Sequence, residues 1–419
     1  MTRLIVYFDE KIVGALSYDK EERLSFQYDN AWLKFEQRFP LSLSLPLSET
    51  IHGHLETKSF FENLLPEGEI KETLSAHGKK SIRSDFGLLK EFGGDCAGAF
   101  KVLPEKVSLK KSTASKKELT VEKITKYLRE NKSLTDVILN KEGGKFSLAG
   151  AQDKFAVIFE HNKIYLPMDG SPTTHIIKPH VRYFKATQDS PYNEFFCMKL
   201  AALVGLNVPE VDIIEGEYPL YIVERFDRVK KAKKVSRIHQ QDFCQAQGVT
   251  SLKKYEVDGG PSFKANYHLL KNHSLNPIPD LNQLIKWLFF NLMIGNNDSH
   301  SKNLALVQKD EGLRLAPFYD LLSTSIYKEL RDQKFSFFIG GQSEWHKLKR
   351  KHFDLLSKDL ELKEDVILKI GLKLSSEVIK QLPKLIQEFD QRFQGPLTSK
   401  ALEAEILKRV SFFSAIFKL

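Results

Sequence analysis

Residues 296–306 read Asn-Asn-Asp-Ser-His-Ser-Lys-Asn-Leu-Ala-Leu, a polar loop that carries more information than any other part of this 419-residue chain. The apolar run Trp287–Ile294 before it is typical of a buried helix that leads directly into the loop. Asn, Asp and Ser bond their own backbone and favour turns, so the loop alone is compatible with an ordinary turn. The positions of Asp298 and Asn303 within it indicate a second interpretation, a catalytic loop.

The interval of five residues from Asp298 to Asn303 is that of the catalytic loop of protein kinases. In that loop the Asp orients the attacking hydroxyl and the Asn binds Mg²⁺. Asp320 follows a short apolar run and stands where kinases carry a second metal-binding residue. Mg²⁺ prefers hard oxygen ligands, which the Asp320 carboxylate, the Asn303 carbonyl, water and phosphate would supply. The sequence therefore predicts phosphoryl transfer from ATP, with Asp298 as base and with Asn303 and Asp320 as metal ligands.

Length and composition predict a globular protein of about two or three compact lobes, since 42% of the residues are hydrophobic. No uninterrupted apolar segment approaches the roughly 20 residues of a membrane-spanning helix, and acidic residues come too early for a signal peptide. We therefore expect a cytoplasmic protein without a membrane partner. Cys96, Cys197 and Cys244 lack metal-ligand spacing, which indicates reduced and buried thiols.

The net charge of +9 favours an acidic partner, which could be a nucleotide, a nucleic acid or an acidic protein. Much of the excess lies in two basic runs, 110–117 and 228–237. Each run is compatible with a solvated loop or with a nucleic-acid site. Because no aromatic residues are interleaved with the basic ones, the runs favour solvated loops.

The chain divides by composition into four predicted segments. Residues 1–105 form a small α+β subdomain, and the Lys/Ser-rich stretch 106–120 is a linker. Residues 121–228 form a β-rich lobe, and residues 229–419 form a helix-rich lobe that carries the polar loop. A β-rich lobe followed by such a helical lobe is the bilobal layout of protein kinases, so the predicted fold class is α+β.

Hydrophobic periodicity places individual elements within these segments. Beyond residue 280 the pattern is mostly helical. Before it, we predict strands at 3–8, 12–18, 154–160, 163–166, 174–178 and 218–224, and helices at 82–91 and 192–205.

Lys178 ends one of these apolar strands, His175-Ile176-Ile177-Lys178. The strand is similar to the V-A-I-K strand of protein kinases, in which the ammonium contacts nucleotide phosphates and pairs with a helix Glu. Glu194, in the first turn of the next predicted helix, is the natural partner. A carboxylate at that position is also favoured by the helix dipole alone, so both interpretations of Glu194 stay open.

No G-x-G-x-x-G pattern precedes Lys178, so the chain is not an ordinary eukaryotic-type kinase. A different loop stands there, and it belongs to a set of informative blocks. The blocks are Phe61–Glu67, Phe146–Lys154, Tyr221–Arg228, His239–Gln245, Lys254–Pro261, Asn297–Asn303 and Phe318–Ser323. Their combination resembles the HipA family of bacterial serine/threonine kinase toxins, over roughly residues 1–345. The resemblance implies a HipA-like N-terminal subdomain added to the bilobal fold.

The resemblance further implies a phosphate-covering loop, because backbone N–H groups in a turn form a nest that suits phosphate. The amides implied to face the nucleotide are those of Ala149, Gly150, Ala151, Gln152, Asp153, Lys154 and Phe155. Ser147, just ahead of them, matches the serine that HipA kinases phosphorylate on themselves. Without the resemblance, Ser147 is an ordinary serine at a strand edge.

The resemblance also implies a hinge at Glu224, Arg225 and Phe226, where backbone groups of Glu224 and Phe226 would bond adenine. The other interpretation of Glu224 is a strand-end carboxylate paired with a nearby Arg. His300 and Lys302 lie between the base and the metal ligand, and either could contact the γ-phosphate. For His300, a hydrogen bond that stabilises the loop is the alternative.

The function implied is that of an ATP- and Mg²⁺-dependent kinase that acts as the toxin of a toxin–antitoxin pair. The implied partners are a HipB-like helix-turn-helix antitoxin, DNA through that antitoxin, and a translation component, above all an aminoacyl-tRNA synthetase, as substrate. Two alternatives stay open: a catalytically idle module that supports the antitoxin as co-repressor, and a kinase of small molecules.

Overall fold

A computed structural model of the chain describes residues 2–77, 84–106, 116–140, 142–143, 148–168, 171–181, 187–231, 234–393 and 397–418. Ser147, residues 110–115 of the first basic run and residues 232–233 of the second run therefore lie outside the described residues. The rest of the second run does not form the expected solvated loop, because it lies in two strands and its Arg228 is buried. Secondary structure is given below in chain order.

The strands are β1 Thr2–Phe8, β2 Lys11–Tyr18, β3 Leu24–Tyr28, β4 Phe100–Pro104, β5 Lys116–Glu118, β6 Phe155–Glu160, β7 Lys163–Pro167, β8 His175–Lys178, β9 Val211–Ile214, β10 Leu220–Glu224, β11 Arg228–Lys231, β12 Lys234–Arg237, β13 Gln240–Asp242, β14 Ala305–Lys309 and β15 Gly312–Leu315. The helices are α1 Asn30–Leu33, α2 His54–Glu62, α3 Gly68–His77, α4 Asp85–Phe92, α5 Val121–Arg129, α6 Leu134–Asn140, α7 Ser190–Leu203, α8 Phe243–Ala246, α9 Phe263–His273, α10 Pro277–Ile294, α11 Arg350–Asp359, α12 Glu364–Phe393 and α13 Leu397–Phe417.

The chain forms two compact units, and it crosses between them several times. The first comprises residues 1–179, 216–218 and 222–252; the second comprises residues 180–215, 219–221 and 253–419. The four predicted segments are continuous in sequence, whereas the two units of the fold are not. Helix α7, for example, belongs to the helical unit although it precedes the last strands of the β-rich unit.

The first unit begins with an antiparallel sheet of strand order β3-β2-β1-β4. The predicted hairpin is confirmed, since β1 pairs with β2 from Thr2 opposite Tyr18 to Phe8 opposite Lys11. Alternate residues of these strands, among them Leu4, Val6 and Leu16, are fully buried. Their apolar face therefore forms the core of this part of the unit.

In a second sheet, the strands that lie wholly in the first unit follow the order β5-β7-β6-β8. β5 lies in the predicted linker and pairs with β7, with Lys117 opposite Leu166. Its three residues are exposed, as suits a short charged strand at a sheet edge. Hydrophobic periodicity could not detect this strand, because backbone pairing alone defines it.

The second unit is built around α10, whose residues from Leu284 to Ile294 are buried apart from Lys286. This helix packs against α9, α12 and α13. The polar loop comes directly after α10, and the hairpin of β14 and β15 comes after the loop. No helix in the described ranges is both long and apolar enough to cross a bilayer.

Candidate active site

The polar loop begins at Gly295, which ends α10 with a left-handed φ of 72°. A Cβ at this position would lie 2.9 Å from atoms of both Ser325 and Arg409. Those two residues are themselves hydrogen-bonded to each other, the Arg409 guanidinium donating to Ser325 Oγ at 2.8 Å. Glycine is therefore required both by the backbone conformation and by the space available.

Asp298, the predicted base, is exposed, and its carboxylate is held from one side. The Tyr255 hydroxyl donates to Asp298 Oδ1 at 2.5 Å. The main-chain N–H of Asp298 donates to Oδ1 of Asn296 at 3.2 Å. An exposed carboxylate with a fixed backbone and one fixed oxygen can accept a proton from an incoming hydroxyl.

Asn303, the predicted metal ligand, lies in a single 3₁₀ turn from Ser301 to Asn303. The turn is fixed through Ser301, whose hydroxyl accepts from Asn266 at 2.9 Å and donates to the carbonyl of Pro261 at 3.1 Å. The Asn303 side chain is buried, and its Oδ1 atom has no hydrogen-bond partner among the described residues. A buried carbonyl oxygen without a donor is costly unless a cation or another ligand meets it, so this atom fits a metal ligand.

Asp320, the second predicted ligand, has a left-handed backbone with φ of 55°. Such a conformation is uncommon outside glycine and persists where the surrounding structure enforces it. Two hydrogen bonds tie this segment to the loop: Asn296 Nδ2 donates to the Asp320 carbonyl at 3.2 Å, and the Tyr319 hydroxyl donates to the Lys302 carbonyl at 2.6 Å. The structure thus brings the segments of Asp298, Asn303 and Asp320 together.

Asn296 is a site residue that the sequence analysis did not identify. Its amide links the backbone of Asp298 to the carbonyl of Asp320, and its Nδ2 also donates to Asn291 Oδ1 at 2.7 Å. The only signal in the sequence was an Asn directly after the helix-ending Gly295, which is equally typical of a turn.

His300 and Lys302 are both buried within the loop. The His300 ring packs edge-on against Tyr255, with ring centroids 5.0 Å apart. Lys302 is anchored through its carbonyl by Tyr319. The packing of His300 supports the loop-stabilising interpretation, and a contact of either side chain with phosphate stays a prediction.

Glu194 lies in α7 and is buried in the second unit. Burial raises the pKa of the Tyr221 hydroxyl, and the negative charges of Glu194 and Asp320 raise it further. Glu194 and Asp320 therefore both lie near the Tyr221 hydroxyl. The ion pair between Glu194 and Lys178 stays a prediction.

Lys178 ends β8 in the first unit and is 4% exposed. β8 pairs with β6, with Ile177 opposite Phe155, so the predicted phosphate loop leads into the neighbouring strand. A buried ammonium has a high cost unless it meets an anion, and the contact of Lys178 with phosphate stays a prediction.

The predicted phosphate loop is anchored at Gly150, whose φ is 106°. Its carbonyl accepts the N–H of Glu67 at 3.0 Å. A Cβ at this glycine would approach Lys154 Nζ to 2.6 Å. The loop is thus tied to the N-terminal subdomain by a backbone bond.

The side chain of Asp153, in this loop, has a structural role. Its carboxylate accepts the N–H groups of Leu134 and Thr135, both at 2.8 Å, and the Thr135 hydroxyl at 2.5 Å. These are the groups at the start of α6 that need acceptors, so Asp153 caps this helix. The proposed role of Asp153 toward a nucleotide concerns its backbone amide, not its carboxylate.

The side chain of Arg225, in the predicted hinge, also has a structural role, because it forms hydrogen bonds with several other residues of the first unit. It donates to Asp227 at 2.8 and 2.9 Å, to Thr173 Oγ1 at 2.8 Å and to the carbonyl of Cys96 at 2.9 Å. Its own N–H bonds the carbonyl of Thr174. Glu224 is exposed and forms no ion pair with a described residue, so the ion-pair interpretation of Glu224 is not supported.

Comparison with known proteins identifies the family of this chain. A model of the HipA-like C-terminal domain matches residues 146–382, and a model of the HipA N-terminal domain matches residues 4–103. The chain is 38% identical over 332 residues to the “Putative kinase Y4mE” of Sinorhizobium fredii, and the match covers 78% of each protein.

The chain is also 29% identical over 345 residues to the serine/threonine-protein kinase toxin HipA of Shewanella oneidensis, which covers 79% of this chain and 77% of that protein. A chain of the solved Shewanella oneidensis complex of HipA, HipB and operator DNA aligns with a TM-score of 0.84 and 25% identity, covering 99% of this chain and 98% of the other.

The α+β fold, with a β-rich N-terminal part and a helical C-terminal part, is that of a protein-kinase-like enzyme. The chain belongs to the HipA family of kinase toxins. Membership of a kinase family implies ATP as the phosphoryl donor.

Proposed function

We propose that this protein is an ATP- and Mg²⁺-dependent serine/threonine protein kinase that acts as the toxin of a HipA/HipB-like pair. The observation that carries the proposal is the linkage made by Asn296, which joins the backbone of Asp298 to the carbonyl of Asp320. An ordinary turn would not require the Asp320 segment to be held beside it in a left-handed conformation.

In the proposed reaction the acceptor hydroxyl gives its proton to the Asp298 carboxylate. The hydroxyl oxygen then bonds to the γ-phosphorus, the bond from phosphorus to the β–γ bridging oxygen breaks, and ADP leaves. Asp298 suits this role because its carboxylate is exposed and is bonded through Oδ1 only among the described residues. Positioning of this kind is the main contribution a protein makes to phosphoryl transfer.

Mg²⁺ is proposed to bind Asn303 Oδ1 and the Asp320 carboxylate. When bound, Mg²⁺ neutralises the charge that develops between the phosphates. The buried Asn303 Oδ1, which lacks a hydrogen-bond partner among the described residues, supports the assignment. Lys178 is proposed to contact the phosphates, with the amides of Ala149–Phe155 covering them and the backbone of Glu224 and Phe226 binding adenine.

The partner proposed is a HipB-like helix-turn-helix antitoxin through which the protein reaches DNA. Support comes from the similar chain in the complex of HipA, HipB and operator DNA. The substrate proposed is a translation component, above all an aminoacyl-tRNA synthetase, and this rests on the family resemblance alone.

Ser147 is proposed as the site of an inhibitory autophosphorylation. A phosphate there adds close to two negative charges to a segment whose amides would otherwise receive ATP phosphates. Mass spectrometry after incubation with Mg²⁺-ATP tests the site, since phosphate found only on other residues rejects it. Nucleotide titration of the phosphorylated protein tests the effect, and we expect a loss of ATP affinity.

Incubation of the full-length protein with labelled ATP and a cell lysate tests the proposed function. We expect labelled protein on serine or threonine, and no label with Asp298→Asn at unchanged ATP affinity. A labelled small molecule would instead identify a small-molecule kinase, and the absence of any label would favour the catalytically idle co-repressor.

A further inference from the structure

We infer that Tyr255 is a positioning residue for phosphoryl transfer, which fixes the carboxylate of Asp298 and leaves one of its oxygens for the acceptor hydroxyl. The inference rests on the proposed role of Asp298 as base. It assigns a task to Tyr255, which lies 43 positions before Asp298 in the chain, within the block Lys254–Pro261.

The contact between the two side chains is short and specific. The Tyr255 hydroxyl donates to Oδ1 of Asp298 at 2.5 Å, within the range of a charge-assisted O–H···O⁻ bond. Among the described residues, Asp298 Oδ2 takes part in no hydrogen bond or ion pair. One oxygen of the base is thus restrained while the other is open.

Tyr255 is itself held on three sides. Its carbonyl accepts the N–H of Gly260 at 2.9 Å, which closes the turn that follows. The neighbouring Glu256 carboxylate accepts the N–H of Phe338 at 2.9 Å. The Tyr255 ring packs edge-on against His300, with centroids 5.0 Å apart.

The turn also tolerates little change, because a Cβ on Gly260 would lie 2.0 Å from the carbonyl oxygen of Lys253. The phenol therefore stands on a fixed support beside the catalytic loop. A donor on such a support can hold the Asp298 rotamer at no further entropic cost when the acceptor arrives.

The chemical reason for this arrangement lies in the exposure of Asp298. An exposed aspartate samples several χ angles, and few of them direct a lone pair at the incoming hydroxyl. The bond from Tyr255 selects one rotamer without neutralising the carboxylate, because a phenol donates a hydrogen bond and retains its proton at neutral pH.

Tyr255→Phe tests the inference, since it removes the hydroxyl and retains the ring against His300. The reaction measured is ADP formation by the full-length protein with Mg²⁺-ATP, which counts transfer to any acceptor, water included. We expect kcat to fall about 10- to 100-fold. Calorimetric affinity for Mg²⁺-AMP-PNP and the melting temperature should stay unchanged.

Tyr192→Phe is the matched control in the same unit. The Tyr192 ring packs against Phe389 and Phe393, and its hydroxyl has no hydrogen-bond partner among the described residues. This variant should keep the rate of the parent protein.

An unchanged kcat in Tyr255→Phe overturns the inference, as does a loss that appears equally in nucleotide affinity. A faster rate overturns it too, because the hydroxyl would then block the base. Failure of the proposed function looks different: either the parent protein forms no ADP, or Asp298→Asn forms it at the parental rate.

Discussion

The side-chain amide of Asn296 donates a hydrogen bond of 3.2 Å to the main-chain carbonyl of Asp320. The oxygen of the same amide accepts the N–H of Asp298 at 3.2 Å. One planar group therefore sets the spacing between the proposed base and the proposed metal-binding segment. Because Asn296 is buried, both bonds are partly shielded from bulk water.

Replacement of Asn296 by Ala should lower kcat about 10- to 100-fold, since the base and the left-handed Asp320 backbone lose a common support. We expect Mg²⁺-ATP affinity to fall as well, because the Asp320 segment is released. Steady-state kinetics and calorimetry measure both effects. Asn272→Ala, at an exposed position of α9, is the control and should behave as the parent protein. Parental kinetics in Asn296→Ala would mean that the link is dispensable.

Replacement of Asn303 by Leu separates metal binding from stability. Leu has a similar size and removes a buried oxygen that has no hydrogen-bond partner among the described residues. Loss of such an oxygen should leave the free energy of unfolding unchanged or raise it. Mg²⁺-dependent ATP binding should weaken about tenfold or more, because one hard ligand is lost. A large loss of stability without a change in Mg²⁺ dependence, measured by urea unfolding and Mg²⁺ titration, would assign Asn303 a structural role.

Replacement of Lys178 by Ala should reduce phosphoryl transfer about 100-fold or more, because no neutral side chain replaces an ammonium at phosphates. Growth arrest on expression should disappear with the activity. Lys309→Ala is the matched control, since Lys309 also ends a strand but is exposed. Arrest by Lys178→Ala at the parental level would mean that toxicity does not depend on the kinase reaction.

The polar loop of Asp298 and Asn303 could be recognised in the sequence because its information is local, and its catalytic role stays a prediction. Asp298 and Asn303 lie five residues apart in one loop, and Asp320 follows a recognisable apolar run. The hairpin of β1 and β2 was predictable for the same reason, since its partners adjoin along the chain. Residue spacing within the loop and hydrophobic periodicity within the strands were therefore enough to recognise the loop and the first hairpin.

Long-range partners could not be predicted in this way. Tyr255 meets Asp298 across 43 positions, and Arg225 meets Cys96 across 129. Asp153 was predicted within a phosphate loop, but its carboxylate caps α6, because the start of that helix lies against it. Side-chain partners of this kind depend on how segments pack, which no single stretch of sequence records.

We expect the stability of the first unit to depend strongly on Asp95. Its buried carboxylate accepts from Arg228 and from Arg237, each at 2.9 Å, and lies 3.5 Å from Arg225. Burial opposes ionisation, but these three guanidinium groups hold the pKa of the carboxyl well below its usual range. Removal of one partner from a buried ionic cluster leaves charge uncompensated.

We therefore expect Asp95→Asn to lower the free energy of unfolding by about 3–5 kcal/mol. Asp19→Asn breaks an exposed pair with Arg23 and should change it little. Urea unfolding of both variants measures the difference. Equal stability in the two variants would contradict a structural role for the Asp95 cluster.

The stability of the first unit should also fall as the pH drops from about 6.5 to about 4, on account of two histidines. Burial lowers the pKa of His175 to about 4 and that of His239 to about 4. His239 Nε2 bonds the carbonyl of Leu41 at 2.8 Å, whereas its buried Nδ1 has no partner among the described residues. A proton added at Nδ1 would therefore be buried without an acceptor.

In this pH range the unfolded chain binds protons that the folded protein excludes, so acid favours unfolding, by about 1.4 kcal/mol per pH unit for each histidine. His239→Gln keeps a donor near Leu41 and removes the titrating ring, so the slope of the unfolding free energy between pH 6 and pH 4.5 should fall by about half. His273→Gln, at an exposed position near the end of α9, should leave the slope unchanged. Urea unfolding at a series of pH values measures the slopes, and equal slopes in His239→Gln and in the parent protein would show that acid acts through other groups.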